Sequence, residues 1–462
     1  MEIVLKPFKL GNQYYVYDRN TNKILAVPKQ DYEVLCSNQS STEKNAVLKK
    51  YQSKGFFLEN RLTEIKHPAN DFVTQFEEEN VTQLILQVTQ DCNLRCSYCY
   101  YVNESYRNRH HAKLNMSVDT ARKAMDYLLS HSVGKDNITL GFYGGEPLLR
   151  MDILKYCIEY MESQVQDRRI LFTLTTNGTL LTDDIIEYFI AHNVALFISL
   201  DGTKETHDRN RKFVNGHGSF DIVMWNVAHI KERYPEYFKT IYFNTVISPE
   251  MDMKCVRDYY SADEVLATAN FTSSTIQEFY TDDPPQYDDR LYIDSQYGEF
   301  KALLICAGRL SAKDMPFIYQ GDISDIRKLQ ENLHTDFLLP SAYHHGGPCI
   351  AGSRRLFVDV AGNFYPCERV SESSETMKIG SLEEGLNLEK VLNLINVGKI
   401  TENECKRCWA LVHCRICAAW ADNLTGLDKS KKLQACPLYK SSVLHRFKNV
   451  CALSQFTHHK IK

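Results

Sequence analysis

The chain has 462 residues, 44% of them apolar and 24% charged, with a formal net charge of −4. That length supports two to four domains with sizeable cores, and the composition is that of a globular protein rather than a disordered or fibrous one. The slight acidity gives nucleic acid or an anionic membrane no electrostatic reason to bind, and no apolar run is long enough to span a bilayer. The start, Met1-Glu2-Ile3-Val4-Leu5-Lys6-Pro7, lacks the apolar core of a secretion signal, so a cytoplasmic protein is expected.

Residues 1–80 read as a separate small domain. Tyr14-Tyr15-Val16-Tyr17 and Lys23-Ile24-Leu25-Ala26-Val27 are strand-like, and the turn-rich Asp18-Arg19-Asn20-Thr21-Asn22 lies between them. Helices are expected over 30–35 and 42–52. Two or three strands followed by helices predict a winged-helix shape, ending at the polar Glu77-Glu78-Glu79-Asn80. Over 81–289, strand candidates at 84–89, 138–143, 170–175, 195–200, 240–247 and 269–274 alternate with helices such as 117–131, 152–165 and 182–192. This predicts the α/β class: a partial (β/α)6 TIM-like barrel with functional loops at the carboxyl ends of its strands. A helical connector is expected over 290–345, and 346–462 is dense in cysteine.

Fifteen cysteines in a chain without a secretion signal point to metal rather than disulfides. Cys36, Cys157, Cys255, Cys306 and Cys451 are scattered and read as small buried apolar residues. Cys92-x3-Cys96-x2-Cys99 follows directly on the apolar Leu84-Ile85-Leu86-Gln87-Val88. A [4Fe–4S] cubane wants a thiolate on each iron, so three thiolates on one tight loop leave an open iron for a small molecule. A structural zinc site closes with four ligands, which three cysteines fit less well.

Further motifs end the later strands: Gly141-Phe142-Tyr143-Gly144-Gly145-Glu146-Pro147, then Thr175-Thr176-Asn177-Gly178, then Ser199-Leu200-Asp201-Gly202 with His207-Asp208-Arg209-Asn210-Arg211. The two glycines let backbone approach a ligand, a strand-end Ser or Asp can bond ribose hydroxyls, and Arg can pair with a carboxylate. Asp201, Asp208 and Arg209 read equally well as turn and surface residues. Asn244 and Val246 can flank a ligand ring or simply pack. The C-terminal cysteines run Cys349-x12-Gly362-x4-Cys367, then Cys405-x2-Cys408-x5-Cys414-x2-Cys417, then Cys436. A zinc ribbon of Cys405, Cys408, Cys414 and Cys417 is the alternative to clusters there. His110-His111 and His458-His459 have no metal-ligand context.

The cysteine loop resembles the signature of the radical S-adenosylmethionine (SAM) enzymes. The resemblance implies a SAM-binding cluster on Cys92, Cys96 and Cys99. Tyr98 would lie beside the adenine, Gly144, Gly145 and Glu146 would take the methionine amino group, and Thr175, Asn177, Ser199, Asp201 and Arg211 would complete the cofactor site. The C-terminal pattern resembles the SPASM extension, although its last spacer, Arg415-Ile416, is one residue short. It implies two auxiliary [4Fe–4S] clusters, three in all: an outer one on Cys405, Cys408, Cys414 and Cys436, and an inner one on Cys349, Cys367 and Cys417. The inner cluster would have an open iron, a ligand from His344, His345 or Asp359, or a substrate thiolate. Glu368 stands where sulfatase maturases carry a catalytic aspartate. Residues 1–80 resemble a precursor-recognition element, which binds a leader peptide as an added strand, with Lys23–Val27 as the edge. The whole resembles a peptide maturase of the ranthipeptide or sactipeptide type, forming thioether crosslinks in a ribosomally made precursor through a 5′-deoxyadenosyl radical, with flavodoxin or ferredoxin as electron donor. Carbon–carbon crosslinking, epimerisation, sulfatase maturation and non-catalytic electron transfer are the alternatives.

Overall fold

Three short antiparallel strands open the chain: β1 (Leu5–Leu10), β2 (Gln13–Asp18) and β3 (Lys23–Ala26). The computed structural model describes residues 2–37, 42–311 and 320–456, so His458 and His459 lie outside the described residues. Side chains alternate across this sheet. Val16 and Leu25 pack with Leu35, Tyr51 and Phe57 from the helices Lys29–Cys36 and Thr42–Gln52 and the turn after them. Phe8, Tyr15, Tyr17 and Ile24 point the other way, onto Leu329 and Leu333 of helix Gln320–His334 and onto Val443, Phe447 and Val450 of helix Lys429–Phe456. Arg19 is fully buried and donates to the Lys406 carbonyl (2.6 Å). The segment 1–80 thus shares a core with the end of the chain.

The second sheet holds ten strands. Its middle is the expected parallel set, β4 (Gln83–Thr89), β5 (Asn137–Gly144), β6 (Arg169–Thr176), β7 (Val194–Ser199), β8 (Tyr242–Ile247) and β9 (Asn270–Thr275), each hydrogen-bonded to the next. Helices between them bury one stripe each. In Val118–Ser130 the stripe is Ala121, Ala124, Met125 and Leu128, at helical spacing, and Ser117 caps the helix by accepting the Thr120 N–H. In Met151–Gln164 it is Ile153, Leu154, Cys157, Ile158 and Met161, so Cys157 is a core residue.

Four more strands extend the sheet on the β4 side. β10 (Leu356–Val358) runs parallel to β4, with Leu356 opposite Leu84, and β11 (Asn363–Tyr365), β12 (Gly380–Ser381) and β13 (Gly385–Leu386) follow as an antiparallel meander. The cysteine-dense segment is thereby welded onto the strand that carries the Cys92 loop. The carboxyl ends of β4 to β9 face one side, where α/β sheets place their ligands. Among the described residues no helix is long and apolar enough to cross a membrane.

Phe447 is fully buried, with its ring 4.5 Å from that of Tyr17 and 5.1 Å from that of His413. Phe447→Ala is expected to destabilise by about 3–5 kcal/mol, measured by denaturant unfolding. Limited proteolysis of the variant should cut the N-terminal sheet first.

Candidate functional site

The Cys92 loop is held against the end of β5 by backbone contacts that only glycine permits. The Thr89 carbonyl accepts the Gly145 N–H (2.9 Å) and the Asp91 carbonyl accepts the Glu146 N–H (2.8 Å). Gly144 has φ +143°, and a Cβ there would stand 2.2 Å from the Thr89 oxygen; one on Gly145 would stand 1.9 Å from the Asp91 oxygen. From the other side the Arg95 N–H reaches the Lys212 carbonyl (2.7 Å) and the Ser97 N–H reaches the Asn210 carbonyl (3.0 Å). Cys92, Cys96 and Cys99 so placed line one cavity of about 460 Å³.

Burial pushes the Cys92 and Cys96 thiols up to about 12 and raises Cys99 as well. Iron must therefore displace their protons. Among the described residues no three His, Cys, Asp or Glu side chains converge on a point for a single metal ion. Thiolates of a cubane each take their own iron and need no common point, so the loop fits a cluster better than a mononuclear site.

Tyr98, Gly144, Gly145 and Glu146 line the same cavity, as do Thr175, Asn177, Ser199 and Arg211. Asp201 does not: it lies behind the wall. Its carboxylate takes Arg211 Nε (2.7 Å), the Tyr98 hydroxyl (2.5 Å) and the Val246 N–H (2.8 Å). Burial pushes the Asp201 carboxyl up, but the Arg211 guanidinium outweighs it and holds the group below its ordinary range. Asp201 thus holds Arg211 and Tyr98 in place beside the cavity. Glu146, on the cavity lining, is tied into the sheet as well. It accepts from Leu148 N–H (3.1 Å), Thr176 Oγ1 (2.7 Å) and Asn177 N–H (2.8 Å), tying β5 to β6, and burial raises its carboxyl to about 6. Asn177 Nδ2 donates to Asn93 Oδ1 on the cysteine loop (2.8 Å). Asp208 accepts the Phe220 N–H (2.8 Å) and Arg209 is solvated beside Glu205, the turn and surface roles open to them in the sequence.

The cavity is also walled by β9, Thr272 to Thr275, and by Arg355, Glu368 and Arg369. Arg355 Nη1 donates to both Glu368 oxygens (2.9 and 3.2 Å), and the Tyr100 hydroxyl donates to the Glu368 carbonyl (3.0 Å). The hydroxyl run Thr272-Ser273-Ser274-Thr275 at the end of a strand was a readable signal for this wall; Arg355 had none.

The C-terminal thiols divide into two sets by mutual electrostatic coupling. Cys405 acts on Cys408, Cys414 and Cys436, and Cys408 acts on Cys414. Cys417 couples with Cys349 and with Cys367, next to the cavity wall. Gly347, whose Cβ would stand 1.9 Å from the Ile416 carbonyl, lets the Cys349 loop lie against the Cys414–Cys417 turn. Of the three candidate extra ligands, His344 uses both ring nitrogens, on the His345 carbonyl and the Gly398 N–H (each 2.7 Å). Asp359 Oδ1 accepts the Ala361 and Asn363 N–H groups (each 2.9 Å) and Oδ2 the Asn363 amide (2.8 Å), which leaves Oδ2 with acceptor capacity. His345 Nδ1 accepts the Gly347 N–H (3.3 Å), which leaves the proton on its buried, unpartnered Nε2. Neither histidine presents a free lone pair.

The three thiols stand on a loop after the first strand of the parallel sheet, and residues 86–261, which contain that loop, match the Radical SAM superfamily. The chain carries a radical SAM domain. It is 31% identical over 165 residues to the cysteine-type anaerobic sulfatase-maturating enzyme of Clostridium novyi, covering 34% of this chain and 42% of that one, so it spans less than half of that relative. It is 22% identical over 438 residues to the radical SAM cyclopropyl synthase TigE of Paramaledivibacter caminithermalis, covering 89% and 84%. Its fold is shared with the solved structure of native anSMEcpe with bound AdoMet and Cp18Cys peptide, at TM-score 0.58 and 18% identity, over 81% of this chain and 99% of that one.

Two outcomes check this geometry. Gly145→Ala should push the loop off β5 and cost about four iron atoms per chain, read by iron analysis, with far-UV circular dichroism unchanged. His207, buried against Ser219 (3.0 Å), has its ring lowered from 6.5 to about 3, by burial first and then by Arg211. The unfolded chain therefore protonates first. The stability His207 contributes is complete above about 6.5 and drains away as the pH falls toward 3. At one pH unit below the unfolded value the loss is about 1.4 kcal/mol. His207→Gln should flatten the pH dependence of the unfolding midpoint by that amount.

Proposed function

We propose that the protein is a radical SAM peptide maturase that forms thioether, sulfur-to-carbon, crosslinks in a ribosomally made precursor peptide. The observation that carries this reading is one cavity that touches two sets of thiols. Cys92, Cys96 and Cys99 line it. Glu368 lines it too, and its chain neighbour Cys367 belongs with Cys349 and Cys417 to a three-thiol set, one ligand short of a filled cubane. The C. novyi relative, a sulfatase-maturating enzyme, and the solved fold with a bound peptide support a peptide or protein substrate.

The residues then have these roles. Cys92, Cys96 and Cys99 hold the SAM cluster, with Tyr98, Gly144, Gly145, Thr175, Asn177, Ser199 and Arg211 around the cofactor. Glu146 and Asp201 complete the cofactor site and also hold strand ends and side chains in place. Cys405, Cys408, Cys414 and Cys436 hold an outer auxiliary cluster, and Cys349, Cys367 and Cys417 an inner one whose fourth iron is free for the peptide's cysteine. When bound, SAM and its cluster supply a 5′-deoxyadenosyl radical that abstracts substrate hydrogen. The Arg355–Glu368 pair holds the candidate base over the cavity, and β9 and Tyr143 shield the site from water and orient the peptide.

Within this reading, 1–80 recognises the leader, 81–289 is the radical SAM core, 290–345 connects, and 346–462 is the auxiliary-cluster segment. β3 is an edge strand, and the Val27 N–H pairs with the Tyr14 carbonyl (2.9 Å), so by alternation Ile24 and Ala26 turn their backbone groups outward for an added strand. Lys23 Nζ is tied to the Leu333 and Thr335 carbonyls (2.9 and 2.8 Å), which bounds the docking edge at that end. A flavodoxin or ferredoxin would deliver electrons.

The test is mass spectrometry of a cysteine-bearing precursor peptide, encoded beside this gene, after anaerobic co-expression with the protein, read with and without thiol alkylation. A loss of two hydrogens per crosslink with cysteines that no longer alkylate is expected. Two-hydrogen loss with alkylatable cysteines would mean a carbon–carbon link instead, and an unchanged mass would move the reading to epimerisation or another substrate.

A further inference from the structure

Lys432 is 1% exposed, on the helix that also carries Cys436. Its ammonium donates to Thr401 Oγ1 (2.6 Å) and to Cys405 Sγ (3.6 Å). The Thr401 hydroxyl itself lies 3.2 Å from the same sulfur. The charge of Lys432 also acts on Cys414 and Cys436. The nearby carboxylate, Glu404, is ion-paired with Lys429 instead (2.7 Å). Among the described residues no carboxylate lies within ion-pair distance of Lys432.

Burying an ammonium without a counter-ion costs several kcal/mol. Four neutral thiols do not offset that cost; four thiolates on a cubane, with net negative charge, do. We infer that Lys432 is the buried counter-ion of an iron–sulfur cluster held by Cys405, Cys408, Cys414 and Cys436, and that its charge holds up the reduction potential of that cluster. One-electron reduction adds one negative charge to the thiolate-ligated core, and no proton need move. A fixed cation at the Cys405 sulfur stabilises the reduced state, since charge and hydrogen bonds at the sulfurs are among the determinants of such potentials. Lys432 is a positioning residue in this role, acting through Cys405 and Thr401 without touching the peptide. The inference rests on the proposal that this set holds a cluster.

The experiment uses the full chain with C92A, C96A and C99A, so that only the auxiliary sets bind iron, loaded anaerobically and titrated under paramagnetic resonance. K432M and K432R are compared with this parent. In K432M one transition should fall so that its reduction constant drops tenfold or more, about 59 mV for one electron, while the other stays; K432R should keep the parent value. Loss of about four irons from K432M alone, with K432R intact, also supports the counter-ion role. Unmoved transitions in K432M, an equal shift in K432R, or iron loss from both variants would overturn it. A parent that binds only one cluster would show, before any lysine variant is compared, that the cluster assignment itself is wrong, and the lysine inference would fall with it.

Discussion

Everything in the site hangs on the close approach of the cysteine loop to the end of β5. Thr89 and Asp91 give their carbonyls to Gly145 and Glu146, and the absence of Cβ atoms at 144 and 145 is what lets the two backbones meet. The loop is therefore shaped by backbone hydrogen bonds from below and by the 210–212 segment from the side. Its three thiols face a common cavity through the fold alone. A metal arriving there pays less to order its ligands than it would on a free loop, because the conformational entropy has already been lost in folding.

The charged groups at the strand ends serve the frame as well as the ligand. Asp201 locks Arg211 and Tyr98 into one buried unit, and removing one partner of such a pair costs about 3–5 kcal/mol. Glu146 does the same between β5 and β6. Facing the cavity are the three thiols, guanidinium groups, hydroxyls, amides and the carboxylates of Glu146 and Glu368. The Arg355–Glu368 pair is fixed in the same way, and Cys367 adjoins Glu368 in the chain, so the cavity and the second cysteine set share a boundary.

Much of this was legible in the sequence. The six parallel strands lie within about two residues of their expected places, because alternating helical and strand periodicity is strong over that stretch. The three-cysteine loop and most of its cavity neighbours were also readable, since chemistry there demands particular residue types at fixed spacing. Glu146 and Asp201 are named by the motifs, but their ties to the frame, Glu146 between β5 and β6 and Asp201 on Arg211 and Tyr98, are not something a motif records. β10 to β13 are two or three residues long and carry no periodicity at all. The double-sided burial of β2 was hidden too: Tyr15 and Tyr17 face helices more than 300 residues away in sequence, and alternation tells which residues share a face but not what covers it.

The central claim is that the Cys92 loop and its cavity form a site for reductive SAM cleavage. The direct measurement is an anaerobic incubation of the iron-loaded protein with SAM and dithionite, with 5′-deoxyadenosine and methionine quantified by chromatography, beside the C92A/C96A/C99A chain. The account predicts both products in equal amounts from the first and neither from the second. Failure of the fully loaded protein to form 5′-deoxyadenosine, or equal formation by the chain without the three cysteines, would contradict it.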